Sequence, residues 1–184
     1  MINTHVITPP EAHDHIRRHR NCFKHGATHE SVLLDDYRQI VHWLPPEVDT
    51  ILDIGCGMAG IDVLLKRHYP AAKLWLLDGD GDDPRDGWLE VRDKAFSSRA
   101  IADKLLAANG IAADRWIDIG TKEHLQADLV ISLASWGYHY PLSTYNVTGF
   151  CIADLRTANE KPRGAIIGHW PKRNRCAWHQ KGKP

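Results

Sequence analysis

Long apolar runs are missing from this sequence, and so is an excess of either charge. No stretch approaches the ~18 apolar residues of a membrane-spanning helix, and the first ten residues lack the apolar core of a secretory signal. The 23 Lys and Arg residues balance the 23 Asp and Glu residues, so no net charge attracts the chain to nucleic acid or to a membrane. We therefore expect a cytoplasmic protein that does not associate with membranes.

Cysteine is also scarce, and no two cysteines form a Cys-x-x-Cys pair. This spacing argues against a zinc ribbon and against a disulfide framework. The four cysteines are Cys22, Cys56, Cys151 and Cys176. The length of 184 residues fits one domain with one core. We predict an N-terminal arm or helix over residues 1–30 and a single domain over residues 31–184.

Histidine and arginine are dense in the first thirty residues. His15 and His19 have the i, i+4 spacing that places two metal ligands on one helix face. No glutamate follows His15 directly, as the zinc protease motif requires, and we predict no metal site. An alternative hypothesis is that this arm closes over a site elsewhere. The next segment, residues 31–44, has apolar residues at helical spacing and Ser31 as a candidate N-cap.

The stretch from Thr50 to Leu65 has the three parts of a nucleotide-binding unit. Residues 51–54 form a short apolar run with β-branched side chains, which is typical of a strand buried on both faces. Residues 55–60 contain three glycines, and residues 61–65 begin a helical run. A strand, a glycine turn and a helix in this order form the first half of a βαβ unit, whose helix start offers free N–H groups to a polar ligand.

The carboxylate of Asp53 indicates which ligand this turn binds. The pattern Gly55-x-Gly57-x-x-Gly60 by itself also fits a dinucleotide site or a tight turn in another α/β protein. Asp53 would repel a pyrophosphate and attract an ammonium or a sulfonium group. The run Asp53-Ile54-Gly55-Cys56-Gly57 resembles motif I of the class I S-adenosylmethionine-dependent methyltransferases.

The resemblance implies an α/β, Rossmann-like fold with S-adenosyl-L-methionine as its cofactor. Its sheet would be doubly wound, seven-stranded and mostly parallel. Residues 164–169 and 175–180 fit the antiparallel C-terminal hairpin with which these enzymes end. Residues 31–184 would form one Rossmann-like methyltransferase domain. The residues expected to bind the cofactor are Asp53, Gly55, Cys56, Gly57, Gly60, Asp78, Gly79, Asp118 and Ser132.

Two of these aspartates end predicted strands. Asp78 follows the strand at residues 73–77 and lies 23 positions after Gly55, near the spacing of about 20 for a carboxylate that holds ribose hydroxyls. A carboxylate suits this task because it accepts two hydrogen bonds from a diol. Asp118 ends the third predicted strand, where the resemblance implies contact with the adenine amino group. Further predicted strands cover residues 128–133 and 150–155.

The segment after the fourth predicted strand is rich in aromatic residues. Ligands bind beyond the carboxyl ends of strands in such sheets, so we expect Trp136, Tyr138 and Tyr140 to line the acceptor pocket. His139 is the candidate base, because histidine titrates near neutral pH. A structural role for His139 is the equal alternative. The segment lacks the Asn/Asp-Pro-Pro-Tyr/Phe motif of the DNA amino methylases, and it resembles bacterial small-molecule and sugar O-methyltransferases.

The sequence therefore predicts an S-adenosylmethionine-dependent methyltransferase that transfers methyl to oxygen of a small molecule. Three alternatives stay open: an RNA methyltransferase, a nicotinamide-dependent enzyme and a non-catalytic nucleoside-binding protein. The RNA alternative draws on residues 161–184, which hold seven Lys and Arg residues and no Asp or Glu. Such a run is either a solvated tail or an attraction for a phosphate or acidic substrate. The sequence does not indicate an oligomeric state.

Overall fold

The computed structural model describes residues 2–19, 27–80, 98–133, 135–139, 141–155 and 161–181. Seven strands lie in these ranges. They are β1 (Thr50–Ile54), β2 (Lys73–Asp78), β3 (Arg115–Asp118), β4 (His124–Ser132), β5 (Asn146–Asp154), β6 (Ile166–Trp170) and β7 (Arg175–Gln180). The α-helices are α1 (Pro10–His19), α2 (His29–Ile40), α3 (Gly60–His68) and α4 (Arg99–Ala108). None of these helices is both long and apolar enough to span a membrane.

The strands form one sheet in the order β3-β2-β1-β4-β5-β7-β6. Strands β1 to β5 pair in parallel, whereas β7 pairs antiparallel with both β5 and β6. The predicted sheet of seven mostly parallel strands with a closing antiparallel hairpin is confirmed. The strand order reverses between β1 and β4, which is where open α/β sheets bind ligands.

Some element boundaries differ from those predicted. β4 begins at His124 rather than residue 128, because residues 124–127 alternate between exposed and buried and so continue the ladder with β5. Helix α2 begins at His29, and its N-cap is Thr28 rather than Ser31. Ser31 is the N3 partner instead: its N–H donates to Thr28 Oγ1 and its Oγ accepts from the Thr28 N–H, both at 3.0 Å.

The carboxyl ends of the parallel strands share one edge of the sheet, which we call the carboxyl edge. Because β6 is antiparallel to β7, and β7 to β5, β6 runs parallel to β5. The turn that follows β6 therefore lies at the carboxyl edge too. This places residues 171–174 on the same side of the sheet as the glycine turn after β1.

The two faces of the sheet are covered differently. On the first face, side chains such as Ile51, Leu76 and Ile131 pack against helical residues including Leu64 and Leu105. The second face is covered by side chains from strands and connections. This second cluster includes Leu52, Leu77, Val130, Cys151, Trp136, Leu142, Tyr145 and Trp178. In the described parts of the connections at 119–123 and 133–145, the one helical segment is a 3₁₀ turn at Leu142–Thr144.

The N-terminal segment packs on the first face. Val6, Ala12 and Ile16 are buried in the same cluster as the helices. The backbone of Ile7 and the side chain of Asn109, next to α4, exchange two hydrogen bonds of 2.9 and 2.7 Å. Residues 2–19 thus share their core with the sheet.

Candidate functional site

The glycine turn between β1 and α3 contains three left-handed residues. Gly55, Gly57 and Ala59 have φ of 76°, 56° and 53°. The Gly55 N–H donates to the Leu77 carbonyl at 2.6 Å, which fixes the turn to the end of β2. Ala59 carries a strain of roughly 1–2 kcal/mol in this conformation. The turn directs the first N–H groups of α3 toward the carboxyl edge, where they can meet a polar ligand.

Asp78 is held against this turn by two backbone N–H groups. Its Oδ2 accepts from the Gly57 N–H at 2.6 Å, and its Oδ1 accepts from the Gly79 N–H at 2.7 Å. A carboxylate has about four acceptor sites, and these two bonds fix its position. The glycine turn and the acidic residue that ends β2 are thus joined by a hydrogen bond, and the predicted contact of Asp78 with ribose hydroxyls stays a prediction.

Three carboxyl groups surround Cys56. Asp62 is fully buried, and burial raises its pKa to about 7, although interaction with the Asp53 carboxyl group limits the rise. Burial raises the pKa of the Cys56 thiol well above its usual value, and the negative charges of Asp78, Asp53 and Asp62 raise it further. The thiol therefore stays protonated at neutral pH and is not a nucleophile. This acidic surrounding favours a cationic ligand group.

A cavity of about 260 Å³ opens beside the glycine turn. Asp53, Gly55 and Gly60 line it near β1, whereas Asp154 lines it at the end of β5. Strand β4 separates these two strands, and neighbouring strands are about 4.8 Å apart. The cavity thus extends along the carboxyl edge for roughly two strand spacings. A volume of this size holds a small molecule or one end of a larger one.

Helix α2 covers the cavity. A Cβ atom at Gly60 would lie 2.8 Å from Leu33 Cδ1 and 2.9 Å from His29 Cε1, so only glycine lets α2 pack this closely. At Gly55, a Cβ atom would lie 1.9 Å from Ser135 Oγ. Gly55 is therefore required both for close packing and for its left-handed φ, whereas Gly60 is required for close packing against α2.

Charged side chains at the β5 end of the cavity form a network. Arg175 is fully buried and donates to both carboxylate oxygens of Asp154, from Nε at 2.5 Å and from Nη2 at 3.1 Å. It also donates to Asp36 Oδ1 at 3.1 Å and to Gln39 Oε1 at 3.2 Å. Arg173 donates from Nη1 to the same Asp36 oxygen at 2.7 Å. The network joins α2 to the closing hairpin.

Two predicted cofactor residues lie in other surroundings. The Ser132 hydroxyl is buried, donates to the Ile54 carbonyl at 2.7 Å and accepts from the Trp136 N–H at 2.8 Å. It therefore holds the ends of β1 and β4 together. Asp118 ends β3 with an exposed side chain whose Oδ1 accepts from Arg99 Nη2 at 2.6 Å. Its predicted contact with adenine stays a prediction.

Of the described residues in the aromatic segment after β4, Trp136, Tyr138 and His139 do not line this cavity. Trp136 is completely buried, its ring lies 6.0 Å from that of Trp178, and its indole N–H donates to the Leu142 carbonyl at 3.2 Å. This burial argues against Trp136 as a pocket wall and assigns it to the core of the second face. His139 is exposed and makes an edge contact with the Tyr138 ring at 4.7 Å. Tyr140 lies outside the described residues.

Four polar or charged residues that line the cavity were absent from the predicted site: His29, Asp36, Asp154 and Arg173. A sequence signal existed for the first two. With Leu33 and Ile40 they follow the 4-3-4 spacing of one helix face, so polar side chains occupy positions of an apolar stripe. Arg173 comes to the cavity through the strand order, which no local pattern shows. Within the described ranges, no three His, Cys, Asp or Glu residues form a group that could hold a metal ion.

Comparison with known proteins supports the fold. No protein-family model and no curated protein matches the sequence. The PH0226 protein from Pyrococcus horikoshii OT3 is similar in structure, with a TM-score of 0.51 and 12% identity over 80% of this chain and 63% of that one. The likeness shows a shared fold and no more.

Two structures that contain SAH have lower TM-scores. The plantazolicin methyltransferase BpumL, in complex with a pentazolic desmethylPZN analog and SAH, has a TM-score of 0.47 and 16% identity over 78% of this chain and 52% of its own. PigF with SAH has a TM-score of 0.44 and 16% identity over 74% and 41%. The chain spans less than two thirds of the length of each of these three structures. Similarities this weak carry no argument about activity.

Proposed function

We propose that this protein is an S-adenosylmethionine-dependent methyltransferase that methylates an oxygen atom of a small molecule. The observation that carries the proposal is the Asp78 carboxylate bound to the Gly57 N–H at 2.6 Å, beside Asp53 at the same edge of the sheet. S-adenosylmethionine carries a group for each carboxylate: its ribose diol would bind the fixed Asp78, and its positive charge would be attracted to Asp53. A pyrophosphate would meet three nearby carboxyl groups, which argues against the nicotinamide alternative.

The residues of the site fit the parts of the cofactor. When bound, S-adenosylmethionine supplies a methyl group already activated on a sulfonium. Asp53 would attract the positive charge of the donor, and Asp78 would accept hydrogen bonds from the ribose hydroxyls. The donor would approach the backbone closely at Gly55, Gly57 and Gly60. It would also lie beside Cys56 and Gly79. Asp118 would reach the adenine amino group, and Ser132 would keep the strand ends in place.

A small-molecule acceptor suits the dimensions of the cavity. Its volume is about 260 Å³, and α2 covers it. Exclusion of water and alignment are what a protein must provide for in-line transfer from an activated donor, and α2 shields one side of this cavity. We therefore favour a small molecule over RNA as the acceptor.

A hydroxyl acceptor must also lose a proton, and two histidines are candidates for the base. His139 was predicted from its position after β4, and it is exposed. His29 is buried and lines the cavity, and its Nδ1 lies 3.3 Å from Thr8 Oγ1. Once an acceptor is found, His29→Ala and His139→Ala separate the two: the true base lowers kcat by about 10²-fold or more. An unchanged kcat in His139→Ala would remove its predicted role.

Calorimetric titration with S-adenosylmethionine and S-adenosylhomocysteine tests the donor site. We expect micromolar binding by the wild type. Asp78→Ala should weaken it about tenfold or more, because the carboxylate makes charge-assisted hydrogen bonds to the diol. Since Asp78 also holds the glycine turn, Asp78→Asn is measured beside it, with a thermal melt of each variant. Glu47→Gln is the control, because Glu47 is an exposed carboxylate next to the amino end of β1. Absence of binding to both ligands would overturn the proposal, and binding of NADH instead would favour the nicotinamide alternative.

A further inference from the structure

The turn between β6 and β7 is fixed at the carboxyl edge. Residues Pro171–Arg173 form a 3₁₀ turn, which Asn174 ends in the left-handed conformation with φ of 50°. The Asn174 carbonyl accepts from the Leu155 N–H at 2.9 Å, and the Asn174 amide donates to the Leu155 carbonyl. The turn is thereby held against the end of β5, and Arg173 reaches the cavity from it.

Arg173 has hydrogen-bonding capacity beyond its contact with α2. Its guanidinium carries five N–H donors, and among the described residues its hydrogen bond is the one from Nη1 to Asp36. Asp36 also has the fully buried Arg175 as a cationic partner, and Arg175 binds both oxygens of Asp154. Arg175 thus pairs with both carboxylates of the network, and Arg173 pairs with one of them. The side chain of Arg173 is 42% exposed and borders the cavity, so its remaining donors can bind a ligand.

The lining of the cavity allows an anion to bind at this end. Arg173 is the one Lys or Arg among the described residues that line the cavity, and the neighbouring Asp36 and Asp154 are both paired with the buried Arg175. The opposite end of the cavity, near the glycine turn, contains Asp53. Asp53 would attract a cationic group, whereas the guanidinium of Arg173 can bind a carboxylate or phosphate group in a two-pronged geometry.

We propose that the acceptor is an anionic small molecule whose carboxylate or phosphate group binds Arg173 at the β5 end of the cavity. This inference rests on the proposed function, because it takes the glycine-turn end as the donor half and the β5 end as the acceptor half. Asp36 is a positioning residue here, since it holds Arg173 from α2. The inference explains why a basic turn lies beside an acidic donor end.

Calorimetric titration of the protein saturated with S-adenosylhomocysteine tests this site. The probes are benzoate, phenyl phosphate and the neutral benzamide. We expect one or both anions to bind the wild type and benzamide to bind at least about tenfold more weakly. Arg173→Gln should weaken anion binding by a similar factor, and Arg173→Lys should give an intermediate value because it keeps the charge without the fork. Lys181→Gln is the matched control, because Lys181 is an exposed cation of the same segment.

The outcomes separate the inference from the proposed function. Failure of the wild type to bind S-adenosylhomocysteine would contradict the proposed function. The anion titrations are then repeated in the absence of S-adenosylhomocysteine. If the donor product binds but neither anion does, the inference alone is wrong. It is also wrong if benzamide binds as well as benzoate, if Arg173→Gln leaves anion affinity unchanged, or if Lys181→Gln weakens it equally. Binding of S-adenosylhomocysteine to Arg173→Gln shows that the variant is folded.

Discussion

The two faces of the sheet are covered by different kinds of structural element. In the described ranges, four α-helices cover the first face, and their apolar stripes meet side chains from β1, β2 and β4. On the second face, large side chains close the core, with Trp136 and Trp178 both fully buried. Residues 119–123 connect β3 to β4 there without an α-helix, and the described part of 133–145 contributes a 3₁₀ turn.

Topology explains why the helices lie on one side. Crossover connections between parallel strands are right-handed, so β1-α3-β2 and β2-α4-β3 place their helices on the same face. Once the strand order reverses at β4, the β4–β5 crossover must pass over the other face. The two faces therefore contribute differently to the site: α2 of the first face lines the cavity, whereas Trp136 and Trp178 of the second face are buried in the core.

The largest effect is expected from removing the main side chain of the second face. Trp136→Ala should lower the free energy of unfolding by about 3–5 kcal/mol, because it deletes a fully buried indole and leaves a cavity. Leu64→Ala is the counterpart on the first face, with an expected loss of about 2–5 kcal/mol. Urea denaturation measures both. Trp136→Phe should keep S-adenosylhomocysteine affinity within about twofold. A loss under about 1 kcal/mol for Trp136→Ala would show that the second face is loosely packed.

Asp62 tests the acidic end of the cavity through pH. Its pKa is about 7 in the folded protein, against about 3.9 for an ordinary aspartate. Between these values the folded state retains a proton that the unfolded chain releases, so stability falls as pH rises from 4 to 7 and the full loss is present above pH 7. The loss is on the order of 4 kcal/mol.

Denaturation of the wild type and Asp62→Asn at pH 5 and pH 8 measures this difference. The variant cannot ionise at this position, so its stability should change less between the two pH values. Glu47→Gln again serves as the control for an exposed carboxylate. Equal pH dependence in the wild type and Asp62→Asn would show that Asp62 ionises normally in the folded protein.

The features that could be predicted from the sequence are local, whereas those that could not depend on contacts between distant parts of the chain. The strand, glycine turn and helix at residues 50–65 and the closing hairpin are local patterns, so spacing and residue type predicted them. Trp136 was placed in a pocket because an aromatic residue after a strand fits either a ligand wall or a core, and only the path of the connection decides. The contact of Arg173 with Asp36 joins residues 137 positions apart and depends on the strand order. His29 and Asp36 could have been noticed, since they interrupt an apolar helix stripe.

The smallest effect concerns the start of the helix that covers the cavity. Thr28 caps α2 through its Oγ1, which accepts from the Ser31 N–H at 3.0 Å. Thr28→Ala should therefore lower the free energy of unfolding by about 1 kcal/mol. Thr121→Ala is the same change in the helix-free connection of the second face, where the hydroxyl bonds to Glu123 are 3.3–3.4 Å long, and we expect a loss of less than about 0.5 kcal/mol. Thr28 directly precedes His29, the first residue of α2, so loss of the cap should loosen the start of this helix. Hydrogen exchange at the α2 amides should therefore rise in Thr28→Ala and not in Thr121→Ala. Equal losses of unfolding free energy in the two variants would mean that the α2 cap contributes no more to stability than the hydroxyl bonds of the connection.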